Sequence, residues 1–63
     1  MSPFDRTTLL QLVAEGYTNK EIGQKLAFSP SWVKQCINGL CFALGARGRA
    51  NLVYLAMKEN LIK

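Results

Sequence analysis

Apolar residues recur along this chain at intervals of three and four, and clusters of glycine, serine, threonine and proline interrupt them. Leu9, Leu12 and Val13 share one face of a helix, and Gly16 follows as a left-handed stop. Ser2-Pro3-Phe4-Asp5 reads as its start: Ser2 caps, Pro3 suits the first helical position, and Asp5 replaces the glutamate of a capping box. These signals predict a first helix over about residues 3–15. Thr18 with Glu21 three positions later is a second capping box, and Ile22 and Leu26 mark one face of a helix over about 19–26. Gly23 inside it costs about 1 kcal/mol relative to alanine, which a closely crossing helix would explain.

Ser29-Pro30 repeats the serine-proline start. Val33, Ile37, Leu40 and Leu44 then step by four, three and four residues, flanked by Cys36 and Cys41, until Gly45 ends a third helix over about 30–44. A fourth is predicted over about 49–60, with Leu52, Leu55 and Ala56 inward and Leu61 and Ile62 folding back as a tail. Roughly three residues join the second helix to the third, which is helix-turn-helix spacing. With no strand signal and no linker, residues 1–63 read as one all-α, four-helix domain. A chain this short buries only about 60% of its unfolded surface, so its core must be simple and its contacts mostly local.

Composition narrows the function. Eight Lys+Arg against four Asp+Glu give a net charge of +4, a modest bias towards a nucleic-acid partner. No apolar run is long enough to span a membrane, and Asp5, Arg6 and Glu15 are unlike a secretory signal, so the chain reads as cytoplasmic. Cys36 and Cys41, five apart on one helix, lie about 140° apart around its axis and cannot be bridged. They read as reduced, mostly buried thiols. With no histidine, no metal site or cofactor is expected, and no pair of acids suggests an enzyme.

Glu15-Gly16-Tyr17-Thr18-Asn19-Lys20-Glu21-Ile22, then Lys25-Leu26, Ser29, Val33-Lys34 and Leu44-Gly45-Ala46-Arg47-Gly48-Arg49 resemble the LuxR/FixJ-type (GerE-like) DNA-binding domain. That family's pattern is roughly EGLSNKEIAxxLxLSxxTVKxHxxxIxxKLGVxNR, and with Ser2-Pro3 and Asn60-Leu61-Ile62 the resemblance covers essentially the whole chain. It implies four helices, the third entering the major groove of double-stranded DNA and the fourth mediating a homodimer. The family domain usually follows a receiver or ligand-sensing domain. Met1 stands directly before the first helix here, which fits either a stand-alone regulator or an excised domain.

On the third helix, Ser31, Lys34, Gln35, Asn38 and Phe42 fall opposite the apolar stripe. Lys34, Gln35 and Asn38 match the family's base-approaching positions. Independently of the family, lysine suits guanine O6/N7 or phosphate, and Gln or Asn pairs bidentately with adenine. Phosphate contacts are expected from Thr18, Asn19 and Lys20 at the start of the second helix, where backbone N–H groups attract anions, and from Ser31, Trp32 and Arg47. Lys25 and Arg49 add charge, and Arg49 has two open roles, phosphate contact or tie for the turn. Val53, Tyr54 and Met57 form the expected dimer face; the other reading is that they widen the core face.

The departures from the family pattern set up a second function. Trp32 stands where threonine is usual, Cys36 where histidine is, and Phe42 and Ala43 where a basic residue is found at or near these positions. Each lost phosphate contact lowers the salt slope by about 0.9. Trp32 has three open roles: contact with DNA, anchor for a protein, or packing against the first helix. The two expected functions are a homodimeric DNA-binding transcriptional regulator and, alternatively, a protein-interaction module. The module would use Trp32 and Phe42 to bind and inhibit a related regulator or the transcription machinery.

Overall fold

The computed structural model describes residues 5–62, which form four helices: α1 (Arg6–Ala14), α2 (Asn19–Leu26), α3 (Pro30–Leu44) and α4 (Arg49–Lys58). α2 packs on α3, α3 on α4, and α1 lies across both α2 and α4. Leu9, Leu10 and Val13 of α1, Ile22 of α2, Val33, Ile37 and Leu40 of α3, and Leu52 and Ala56 of α4 meet in one core, which Ile62 closes from below. Leu44, the last residue of the predicted stripe, is half-buried against it.

The chain's own punctuation explains these bounds. At α2 both halves of the capping box form: Glu21 N–H donates to Thr18 Oγ1 (3.2 Å) and Thr18 N–H donates to Glu21 Oε1 (2.8 Å). At α3 the Ser29 hydroxyl accepts from Trp32 N–H (3.1 Å), with Pro30 in the first turn. Gly45 closes α3 at φ 71°, and Ala46 N–H reaches back to Cys41 O (2.7 Å).

Elsewhere the structure departs from expectation. α1 begins at Arg6, not near residue 3, because Asp5 is extended (φ −104°, ψ 121°) and caps the helix itself, accepting from Thr7 N–H at 3.0 Å. Ser2 and Pro3, proposed as the start, lie outside the described residues. α4 stops at Lys58: Asn60 turns left-handed (φ 59°) and Leu61 N–H bonds to Ala56 O (2.8 Å). That turn buries Ile62 but leaves Leu61 exposed, so only half of the expected tail folds back. The two cysteines are free and half-buried rather than mostly buried, and burial pushes the Cys36 thiol pKa up.

The neighbour of Gly23 is not a crossing helix. A Cβ built there runs into the carbonyl of Phe28, in the turn that leads to α3. Phe28 N–H in turn donates to Gly23 O (2.9 Å), drawing the turn back over the end of α2. Ala27 takes the bend at φ 62°, a left-handed conformation costing roughly 1 kcal/mol in a residue with a Cβ. The tight turn fixes how α3 projects from α2.

Candidate nucleic-acid interface

α3 buries Val33, Ile37 and Leu40, and this pins the opposite side of the helix to solvent. Ser31, Lys34, Gln35, Asn38 and Phe42 are all exposed there, as their spacing predicts. The side chains of Lys34, Gln35 and Asn38 use no hydrogen bond among the described residues, so a cation and two amides stand available within about one turn of α3. Lys34 is the one charged side chain of α3.

The first turns of α2 and α3 provide a second chemistry. Thr18, Lys20, Ser31 and Trp32 are exposed and Asn19 is half-buried. The Thr18 hydroxyl oxygen accepts the helix cap, and its O–H is turned to the Glu21 carboxylate. Glu21 is the acid at this otherwise donor-rich point. The N–H and hydroxyl of Thr18 hold its carboxylate below the usual carboxylate range. Its stabilising contribution is therefore whole at neutral pH and disappears only as pH falls through that lowered pKa.

Arg49, whose role the sequence left open, ties elements together. From the first turn of α4 its Nη1 donates to Asn19 Oδ1 (2.7 Å) and its Nη2 to the Tyr17 carbonyl. Above the same loop, Lys25 Nζ sits 4.7 Å from the centre of the Tyr17 ring, a cation–π contact. Neither partnership was legible locally: the first joins residues 30 apart, and nothing in the sequence pairs Lys25 with Tyr17. Arg47 is exposed, and its N–H donates to Asn51 Oδ1 (2.9 Å), a bond the sequence reading missed.

Trp32 rests on Phe28 of the preceding turn, ring centroids 6.3 Å apart and planes tilted by 43°, rather than on α1. It stays 47% exposed, whereas Phe42 is 91% exposed. On α4, Tyr54 and Met57 are exposed, while Val53 is half-buried against the core. Among the described residues no group of side chains could hold a metal ion, and no helix is long and apolar enough to cross a membrane.

The chain is 36% identical over 55 residues to the oxygen regulatory protein NreC of Staphylococcus aureus strains JH9 and USA300; the match takes in 87% of this chain and 25% of each relative. It thus spans about a quarter of the length of the curated relatives it matches. No solved structure matches it. The family model "Bacterial regulatory proteins, luxR family" matches residues 6–56, from the first residue of α1 to the buried Ala56 of α4. The chain belongs to the luxR family of bacterial regulatory proteins, helix-turn-helix regulators of transcription that bind DNA.

Proposed function

We propose that this domain binds duplex DNA with α3 in the major groove and the start of α2 against the phosphate backbone. The observation that carries the reading is the exposed face of α3, where the side chains of Lys34, Gln35 and Asn38 have no hydrogen-bond partner among the described residues. Lys34 and the two amides contact base edges; Thr18, Asn19, Lys20, Ser31, Trp32 and Arg47 contact phosphate. Few cations share this work, so one domain binds weakly and a homodimer on two half-sites supplies the remaining affinity. Tyr54 and Met57, with Val53 beside them, are the dimer face.

Fluorescence anisotropy with a labelled random-pool duplex, titrated at several salt concentrations, tests the reading. Binding that falls steeply with salt supports it; a folded protein that ignores DNA at low salt rejects it. Met57→Asp is expected to abolish self-association in sedimentation, and a variant that still dimerises would place the interface elsewhere.

The 91% exposure of Phe42 favours a second reading, in which this face binds a related regulator or the transcription machinery and inhibits it. In that case Phe42→Ala abolishes capture of that protein and leaves DNA binding untouched.

A further inference from the structure

The backbones of α2 and α4 do not pack directly on each other; each packs on α1 and on α3. One side chain hydrogen-bonds across the gap. Arg49, at the first position of α4, spreads its two terminal nitrogens over two acceptors that flank the start of α2, the Tyr17 carbonyl and Asn19 Oδ1. Asn19 is itself an expected phosphate contact, and its side-chain oxygen is now committed. What it retains is the NH2 group, the half of an amide that a phosphate accepts from. Without Arg49, an amide free to rotate would present its oxygen, which repels phosphate, as readily as its nitrogen. A cation on the oxygen also polarises the amide and strengthens its N–H donors.

We propose that Arg49 is a positioning residue for DNA binding: it sets Asn19 with its NH2 turned to the phosphate backbone and makes the phosphate contact at α2 depend on the seating of α4. The inference rests on the DNA-binding reading above. A guanidinium is needed because its fixed fork spans two acceptors, which the single point charge of lysine cannot do in the same geometry.

The test compares wild type, Arg49→Lys, Arg49→Ala, Asn19→Ala and the Asn19→Ala/Arg49→Ala double variant on a duplex selected from the random pool, across a range of salt. Each single variant is expected to bind roughly three- to ten-fold more weakly, the loss of about one hydrogen bond. The double variant is expected to be no weaker than the weaker single one, since both remove the same contact. Arg49→Lys is expected to lose affinity while the salt slope stays at the wild-type value. If instead Arg49→Ala lowers the slope by about 0.9 and Arg49→Lys restores it, Arg49 touches phosphate directly and the proposal is wrong. Additive losses overturn it equally.

A readout without DNA guards against variants that simply unfold. In the free protein, the Asn19 side-chain NH2 resonances are expected to move in Arg49→Lys while core methyl resonances stay in place. Unmoved Asn19 resonances would refute the positioning role. Wild type that binds no duplex at any salt would bring down the DNA-binding reading itself, whereas wild-type binding with additive or slope-changing variants brings down this inference alone.

Discussion

The two ends of α3 are built differently. At its N-terminal end the turn from α2 is pulled tight over Gly23, Ser29 caps, Trp32 packs on Phe28, and Ser31, Lys34, Gln35 and Asn38 present polar groups outward. At its C-terminal end Phe42 and Ala43 meet water, Gly45 and Gly48 have open space around them, and α4 starts at Gly48 without a side-chain cap. The tight end fixes direction and carries the chemistry. The loose end lacks the cation that the family pattern places there. If α3 enters the groove as proposed, its tight end sets the approach and its loose end is left for other contacts.

Breaking the tight end should have the largest effect. Gly23→Ala gains about 1 kcal/mol of helix propensity but forces a Cβ into the Phe28 carbonyl, an overpacking that costs about 1–3 kcal/mol. The clash wins on these magnitudes, because a backbone atom cannot swing aside. A net loss of up to about 2 kcal/mol should lower Tm by up to roughly 15 °C in a thermal melt. Alanine stands at this position in the family pattern, so an unchanged Tm would mean that this turn opens without cost. Lys34→Ala should weaken duplex binding at least several-fold, and on the order of ten-fold, with the circular dichroism melt unchanged, since its side chain is exposed and holds nothing in the fold. Equal affinity in a folded variant would remove Lys34 from the interface.

The loose end should respond in the opposite direction. Phe42→Lys restores a cation near where the family has one and should steepen the salt slope by about 0.9 if that end of α3 lies along the backbone. An unchanged slope would show that Phe42 faces away from DNA. The smallest effect is expected at Gly48, whose backbone is extended (φ 177°) and open to any side chain. Gly48→Ser supplies the missing cap of α4 and should stabilise the domain by a few tenths of a kcal/mol in denaturant melts.

The same contrast explains what could be read from sequence. α2 and α3 were legible to the residue because their starts, Thr18 with Glu21 and Ser29-Pro30, are short-range devices acting within a single turn. The start of α1 was misjudged because Ser2 and Asp5 both offer a cap, and composition cannot say which backbone N–H groups are taken. Ala27 carried no signal at all: alanine does not ask for a left-handed bend, and only the pull of Phe28 onto Gly23 imposes one. The exposed face of α3 followed from its apolar stripe by geometry. The support behind the site did not, because Arg49 and Asn19 meet only after the chain has turned through two further connections. Residue type indicated which groups could touch DNA, while the long-range fold determined which of their atoms are already in use.

Helix boundaries that close within five residues also bear on how the molecule assembles. The Thr18–Glu21 box, the Phe28–Gly23 bond, the Ala46–Cys41 bond and the Leu61–Ala56 bond can each form while the rest of the chain is disordered. A topology so dominated by local contacts belongs with proteins that fold in microseconds to milliseconds. The bond between Arg49 and Asn19 is of another kind: it must wait until α1, α3 and α4 are seated. The donor proposed to meet DNA is therefore among the last things the chain makes, and on that proposal a partly folded domain arrives at DNA without it.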